Sequence, residues 1–358
     1  MALWEGATPA DLLDDLGNAI AAKYRRIEEA LERSLRRYLE QAIEAPPDLV
    51  ARLAAVEDLR RQAQRLVATM PPERVAAVVA QIAAGEAATE IARQILKMPG
   101  LSGTTASAGG LWAVAASEIE LTDALRALNA RIHRAPADAY QAMTAAMQPD
   151  ILANRATWEQ VQRRQVDQYL ADGITGFIDR SDRRWRIGSY AEMATRTAAA
   201  RAWRDQSVAS MRDHGILTFT PVIGSSACTK CADWAGKVLT DGRVGTLTVP
   251  DAITGEPSTI RVDATLGEAR AAGWGHPNCR CVLIPALPGL ERRGITTHDP
   301  EHERARDTMR ALERDVRAAR RDGDADEVKA AQAALRAHTR EHELRRRYWR
   351  EQLEFSGG

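Results

Sequence analysis

The first part of the chain carries one apolar stripe at helical spacing. Thr8-Pro9-Ala10-Asp11 has the features of a helix start, with a threonine cap, proline at the first helical position and a carboxylate at the third. Apolar side chains then recur every three or four residues: Leu13, Leu16, Ile20, Tyr24, Ile27, Leu31, Leu35 and Tyr38. This stripe, which ends before Pro46-Pro47, predicts a helix roughly 50 Å long at about 1.5 Å per residue.

Proline pairs and a glycine-rich segment divide the helical part of the chain. Pro47-Asp48 and Pro71-Pro72-Glu73 predict two further helix starts, so residues 1–98 are predicted to form a helical array. Residues 99–110 are small, polar and glycine-rich, which is typical of a loop or linker. Residues 111–215 are predicted to be a helical domain, with interruptions near Pro136 and Pro149 and a helix capped by Ser189 with Glu192.

The pattern changes between residues 216 and 290. This segment holds 9 of the 24 glycines and 6 of the 15 prolines. Short runs of β-type residues alternate with turns: residues 216–222, 237–239, 247–249, 260–262 and 282–284. The segment is predicted to be a small module that contains β-strands. Residues 291–358 are charged, and Met309, Leu312 and Val316 form one helical stripe before a break at Asp322-Gly323-Asp324. They are predicted to form a helical hairpin whose second helix runs from about Asp326 to Phe355.

The predicted fold is therefore mainly α with a small β-containing module (α+β), arranged as an elongated helical array with a C-terminal helical hairpin. Composition agrees with this, because only 5% of residues are aromatic. The 49 basic and 49 acidic residues balance, which excludes a polybasic protein that condenses nucleic acid. We expect no membrane span, since no run approaches about 20 apolar residues. The first residues lack the features of a signal peptide, so the protein is expected to stay in the cytoplasm or to leave the cell by a route other than secretion.

All four cysteines lie in the β-containing module, within the 54 residues from Cys228 to Cys281. Cys228-Thr-Lys-Cys231 is a C-x-x-C turn, in which two thiolates can bind one ion, and His276-Pro-Asn-Cys279-Arg-Cys281 supplies further ligands. A structural zinc ion suits this donor set and would replace a missing hydrophobic core. Four of these five side chains are predicted to bind zinc, and the sequence leaves open which four.

Other interpretations of the cysteines remain open at the level of sequence. They could be free core residues, disulfides or a redox pair, although no secretion signal or thioredoxin-like frame accompanies them. Asp233 and Glu268 could serve a catalytic zinc ion, but neither lies in a recognisable zinc-enzyme motif. Thiolate-rich sites are more often closed and structural, so no enzymatic activity is predicted.

Three clusters outside the cysteine module could bind partners. Arg183 and Arg184 with Trp185 could contact DNA phosphates or an acidic protein surface, or could pair internally with Asp179, Asp182 and Glu192. A second basic and aromatic run near the C-terminus could contact packaged DNA or form a solvated helix face: Arg345, Arg346, Arg347 and Trp349. His338 and His342 have metal-binding spacing on a helix, but with no third ligand evident a solvated face is expected.

Two resemblances to known families involve these residues. The string from His276 to Cys281, with Cys228-x-x-Cys231 and Gly236-Lys-Val238, resembles the phage Mu F-like head morphogenesis family. Residues 150–355 resemble the minor capsid family of Gram-positive phages more closely, through segments 173–179, 184–185, 189–193, 196–197 and 310–317. In that family histidine often takes the position of Cys281, an exchange that a metal ligand tolerates.

The resemblance implies a structural virion protein with no enzymatic activity. It implies a minor capsid protein, present in a few copies per virion at or near the portal vertex or the head interior, that acts in head assembly or genome packaging. The implied partners are the portal protein, the major capsid protein and packaged DNA, and the implied site of synthesis is the host bacterial cytoplasm. The alternative functions are a zinc-containing nuclease and a DNA-binding adaptor of the phage head.

Overall fold

A computed structural model describes residues 8–44, 49–101, 111–152, 177–178, 184–223, 228–290, 299–322 and 324–344. Its helices are α1 (Pro9–Glu44), α2 (Leu49–Ala68), α3 (Pro72–Ile95), α4 (Leu111–Leu152), α5 (Ile187–Asp213), α6 (Thr229–Ala232), α7 (Leu266–Ala271), α8 (Pro300–Asp322) and α9 (Ala325–Glu341). Its strands are β1 (Phe177–Ile178), β2 (Arg184–Trp185), β3 (Thr218–Val222), β4 (Leu239–Thr240), β5 (Gly245–Pro250), β6 (Pro257–Val262), β7 (Ala264–Thr265) and β8 (Val282–Pro285). The predicted fold class, mainly α within α+β, is confirmed.

The chain divides into two compact units. We call residues 7–92 and 106–210 the bundle unit, and residues 1–6, 93–105 and 211–358 the cysteine unit. All four cysteines belong to the cysteine unit. The five segments expected from the sequence remain a prediction of domain organisation.

The bundle unit has a core built on the apolar stripe of α1. The Thr8 hydroxyl accepts a hydrogen bond from the Asp11 backbone N–H, and the Asp11 carboxylate accepts from the Thr8 N–H, so the predicted helix start is confirmed. Within this helix Leu13, Tyr24 and Leu31 are buried. The Tyr24 hydroxyl donates to the side-chain oxygen of Asn129 on α4, at 2.9 Å, which satisfies the polar end of the buried ring.

Two expectations about helix boundaries in this unit are wrong. Pro136 and Pro149 lie inside α4, which continues from Leu111 to Leu152. Pro136 lines a small cavity together with Leu31, Leu35 and Leu59, so it lies among side chains of α1 and α2, and tertiary contacts of this kind can override the local cost of proline in a helix. Likewise Ser189 is not a helix cap, because α5 begins at Ile187.

The buried carboxylate of Glu192 forms ion pairs instead of a capping interaction. It lies 2.5 Å from the guanidinium of Arg196 on the next turn, and Arg25 of α1 lies 3.7 Å away. Arg196 also contacts Asp14 of α1 at 2.6 Å. These pairs connect α1 to α5 inside the bundle unit, in a region where both Glu192 and Arg196 are buried.

The cysteine unit contains a small mixed sheet with the order β7-β4-β3-β8 and a separate antiparallel pair, β5 and β6. The strand β3 pairs antiparallel with both β4 and β8, whereas β4 and β7 are parallel. Of these strands, β3, β4, β5, β6 and β8 overlap the runs expected from the sequence, and β7 was not predicted. Buried Phe219 lies in β3 and buried Leu283 lies in β8, the antiparallel pair at one edge of this sheet.

Helices α8 and α9 form the predicted hairpin in the same unit, and their apolar residues pack together. Met309, Val316 and Leu335 are buried at its centre, and Leu344 packs against them. The second helix is shorter than predicted, since α9 ends at Glu341. Glu343 adopts a positive φ of 51°, and the Leu344 N–H donates to the Thr339 carbonyl, as in a Schellman helix end.

One segment of the described chain is long and apolar enough to cross a membrane by length and composition alone, although none was expected from the sequence. This segment is Leu53–Ile95, and 39% of its most apolar 18-residue stretch is buried in the structure. The α3 part of this segment contains Ala76, Ala80, Ala83 and Ala87, which are buried in the structure. A core helix of a soluble protein passes the same test, so the segment is weak evidence for a membrane span.

Candidate metal centre

The register of β3 and β8 brings the two cysteine motifs to the same end of the sheet. Val222, the last residue of β3, pairs with Val282, the first residue of β8. Cys228 comes after β3 along the chain, and Cys281 directly precedes β8. Because these two strands are antiparallel, the end of one and the start of the other lie side by side.

The first motif is closed by one turn of helix. Cys228 is the N-cap of α6, and its carbonyl accepts hydrogen bonds from the N–H groups of Cys231 and Ala232, each at 3.0 Å. This turn places both thiols on the same side of the backbone. Cys231 is buried, whereas Cys228 is half-buried.

The second motif is also a tight turn. The Cys279 N–H donates to the His276 carbonyl at 3.0 Å, and Asn278 between them has a φ of 66°. Asparagine tolerates this left-handed conformation better than most residues do. The Cys281 N–H donates to the Cys279 sulfur at 3.4 Å, and both side chains are buried. A backbone N–H directed at sulfur stabilises the thiolate form that a metal ion requires.

The five predicted ligands form two overlapping groups. The ligand atoms of Cys228, Cys231 and His276 lie within 4.8 Å of one another, and so do those of Cys231, Cys279 and Cys281. The His276 Nε2 is 2.9 Å from the Cys228 sulfur, and the Cys231 and Cys279 sulfurs are 3.4 Å apart. In a tetrahedral zinc site with Zn–S bonds of about 2.3 Å, the sulfurs are about 3.8 Å apart. These side chains could therefore hold a metal ion.

The orientation of His276 suits a metal ligand. Its Nδ1 lies 2.7 Å from the Pro277 carbonyl and donates to it, which leaves the Nε2 lone pair directed toward Cys228. Metal-binding histidines usually donate their second ring nitrogen in this way, because the hydrogen bond fixes the tautomer and the ring orientation.

The electrostatics of the thiols also favour a cation. Hydrogen bonding to Cys279, together with burial, raises the pKa of the Cys231 thiol. Hydrogen bonds to Cys231 and Cys279, together with burial, raise the pKa of the Cys281 thiol. Neighbouring thiolates at this distance would also repel one another, and a divalent cation removes that repulsion and deprotonates coordinated thiols. None of the four cysteines forms a disulfide, since the sulfurs of Cys231 and Cys279, for example, are farther apart than the roughly 2.05 Å of a disulfide bond.

Most of the predicted DNA or partner contacts lie outside the described residues. These are Arg183, Arg345, Arg346, Arg347 and Trp349. Arg184 and Trp185 form β2, which pairs with β1, and β1 and β2 were not predicted. Glu192, which the sequence suggested as an internal partner of these arginines, forms ion pairs with Arg196 and Arg25.

The structure adds a third group beside the histidine pair on α9. Ligand atoms of His338, Glu341 and His342 lie within 4.8 Å of one another, so a third candidate ligand is near, although none was evident from the sequence. The sequence spacing of the three residues already indicates that they are neighbours, since helix residues three and four apart share a face. The spacing of the two histidines alone does not point to the carboxylate of Glu341 between them.

The fold and the cysteine cluster define a mainly helical protein with a thiol-rich group of side chains that could hold a metal ion. A family model described as phage minor capsid protein 2 matches residues 9–354. The chain therefore belongs to the phage minor capsid protein 2 family, which makes it a structural protein of bacteriophage particles. No curated protein and no solved structure matches it significantly.

Proposed function

We propose that this minor capsid protein acts at or near the portal during phage head assembly or genome packaging. The observation that carries the proposal is the match of nearly the whole chain, residues 9–354, to the minor capsid family. The portal protein and the major capsid protein are its proposed partners, with a few copies of the chain in each virion. The proposed site of assembly is the cytoplasm of the bacterial host.

The cysteine cluster would hold one structural zinc ion. Three kinds of observation support this: the short distances among the ligand atoms, the hydrogen bond from His276 to Pro277, and the burial of Cys231, Cys279 and Cys281. Thiolate and imidazole ligands suit zinc. Since the sheet beside the cluster is small, the binding energy of the ion would contribute directly to folding.

Within the zinc centre, Cys231 and Cys279 are proposed as ligands in every case. Cys231 is the one side chain shared by both groups of ligand atoms, and the Cys279 sulfur lies beside it and accepts the Cys281 N–H. Two of the other three side chains would complete the tetrahedron: Cys228, His276 and Cys281. The fifth side chain would then lie next to the site without binding the ion.

We propose that the protein has no enzymatic activity, in contrast to a zinc nuclease with His276 as its base. Both ring nitrogens of His276 have partners, Cys228 at 2.9 Å and Pro277 at 2.7 Å. Glu268 forms a capping box with Thr265 at the start of α7, and the backbone N–H of Thr265 lowers the pKa of its carboxyl. Neither side chain is therefore placed as a general acid or base.

Affinity purification from phage-infected cells tests the proposed role. Tagged wild-type protein is expected to recover the portal protein, and electron microscopy of heads with the labelled chain should show density at the portal vertex. The Cys231→Ser variant should lose this association, whereas His133→Ala, a substitution in the bundle unit, should keep it. Normal, infectious heads assembled without the protein would contradict the proposal.

Recovery of phage DNA in place of portal protein, with an affinity that falls steeply as salt rises, would instead support a DNA-binding adaptor. A metal-dependent nick in plasmid DNA that is lost in His276→Ala would support the nuclease. Either result would replace the structural role proposed for the cysteine module.

A further inference from the structure

We propose that His338, Glu341 and His342 form a second metal site, at the C-terminal end of α9, for a transition-metal ion of the Zn²⁺ type. The inference is independent of the cysteine cluster and of the role in head assembly. It starts from the three ligand atoms, which already lie within 4.8 Å of one another on one face of the helix. The two imidazole rings are tilted by 53°, with their centroids 4.6 Å apart.

A hydrogen bond between the two hairpin helices orients the first ligand. The Nε2 of His338 lies 2.7 Å from the carbonyl oxygen of Ala305 on α8 and donates to it. This bond fixes the tautomer, so the lone pair of His338 is on Nδ1. Donation of one ring nitrogen to a backbone carbonyl is the usual arrangement for a metal-binding histidine, because it orients the ring and makes the other nitrogen more basic.

The helix end holds the other two ligands in place. Glu341 is the last residue of α9 and His342 is its C-cap. The next residue, Glu343, has a positive φ, and the Leu344 N–H closes the turn on the Thr339 carbonyl at 2.8 Å. Leu344 then packs against the core of the hairpin. The last turn is thereby fixed by backbone hydrogen bonds and by apolar packing, which lowers the entropy cost of ordering the ligands on binding.

The chemistry of the three side chains defines the ion. Two imidazoles and a carboxylate suit Zn²⁺, Ni²⁺ or Cu²⁺, whereas Mg²⁺ and Ca²⁺ prefer oxygen ligands. The negative end of the helix dipole also favours a cation at this position. Three protein ligands leave a fourth position for water or for a side chain of a partner. An ion bound there would stabilise the C-terminal end of α9. It would also fix the ring of His338, and with it the hydrogen bond from this ring to Ala305 of α8.

The test uses the full-length chain with its cysteine cluster first filled by one equivalent of Zn²⁺. A second equivalent of Co²⁺ is then added and followed by calorimetry and absorption. We expect wild-type protein to bind it without the sulfur-to-metal charge-transfer absorption that thiolate ligands give. Hydrogen exchange should slow in residues 335–344 at the same time, a readout that does not depend on the affinity measurement.

Two variants leave the bond from His338 to Ala305 intact and so should fold normally. His342→Ala removes an imidazole, and Glu341→Gln removes the charge of the carboxylate. We expect His342→Ala to weaken the affinity for Co²⁺ by more than about 100-fold, since even loss of a residue that only supports a metal ligand costs roughly 10- to 100-fold. Glu341→Gln should weaken the affinity by less than His342→Ala does. The matched control, His133→Ala on α4, should bind like wild type. The proposal is overturned if wild-type protein binds no second ion, or if His342→Ala binds it equally well.

Discussion

At the scale of single residues, Cys231 has the central position in the metal centre. Its sulfur is shared by both groups of ligand atoms, and its backbone N–H bonds to Cys228 within the first turn. His276 and Cys281 lie in different groups, each in contact with part of the cluster. Removal of different ligands should therefore have unequal effects.

Cys231→Ser is expected to abolish thiolate–metal binding, because the hydroxyl is a poor ligand for zinc beside the remaining thiolates. The measurement is the sulfur-to-cobalt charge-transfer absorption of protein loaded with one equivalent of Co²⁺. Among Cys228→Ser, His276→Ala and Cys281→Ser, one variant should keep tetrahedral binding, which identifies the side chain that is not a ligand. The control is His214→Ala, which removes another histidine of the cysteine unit that is not a predicted ligand. Unchanged absorption in Cys231→Ser would remove this residue from the site.

Gly100, in the cysteine unit, lies too close to a neighbouring backbone segment to carry a side chain. Its N–H donates to the Ala252 carbonyl at 3.0 Å, and an added Cβ would lie 2.4 Å from backbone atoms of Asp251 and Gly255. Backbone atoms cannot move aside as the end of a flexible side chain can. Only glycine fits at this contact without displacement of the neighbouring loop.

Gly100→Ala is therefore expected to lower the free energy of unfolding by about 1–3 kcal/mol, the usual cost of overpacking. Gly85→Ala, in α3, should instead raise the free energy of unfolding, since a Cβ there would meet nothing within 4 Å. Alanine in a helix is favoured over glycine by about 0.5–1 kcal/mol. Thermal unfolding of the two variants checks both signs, and equal stability of Gly100→Ala and wild type would contradict the close approach.

At the scale of elements, the contact of α1 with α5 depends on a buried ionic network. Burial alone would lower the pKa of Arg196, but Glu192 and Asp14 more than offset this, so the pKa of the guanidinium is raised. The side chains of Arg196 and Glu192 are 5% and 9% exposed, so both charges have lost most of their hydration. A charge in this environment is tolerated only with its partner present.

Arg196→Met is expected to lower the free energy of unfolding of the bundle unit by about 3–5 kcal/mol, because it leaves the carboxylate of Glu192 buried without its nearest partner. Chemical denaturation measures the change. Arg126→Met is the matched control, since Arg126 pairs with Glu73 on the surface at 2.6 Å and exposed pairs contribute little. If the two variants are equally stable, the buried network does not hold α1 against α5.

Long elements could be predicted from the sequence, whereas most of the two-residue strands could not. The stripe from Leu13 to Tyr38 repeats often enough to define α1, whereas β1, β2 and β7 have two residues each and show no periodicity. The end of α9 at Glu341 depends on the conformation of Glu343, which is neither glycine nor asparagine. Ser189 matches a capping pattern, but the helix begins at Ile187 and Glu192 pairs with Arg196.

At the scale of the whole molecule, residue spacing predicted the chemistry of the candidate site, and the structure added its arrangement. C-x-x-C and H-x-x-C-x-C identify five donors, but only the pairing of Val222 with Val282 shows how distant turns meet at one end of a sheet. The spacing of His338, Glu341 and His342 can be read from the sequence, but the hydrogen bond that holds His338 against Ala305 cannot. The family match extends over both units, from residue 9 to residue 354.

X-ray absorption at the zinc edge of full-length protein, purified without metal affinity resin and carrying one zinc per chain, tests the central claim most directly. The account predicts a four-ligand shell with three or four sulfur atoms at about 2.3 Å and at most one nitrogen. A shell of oxygen and nitrogen alone, or protein that folds fully and retains no zinc, would contradict it.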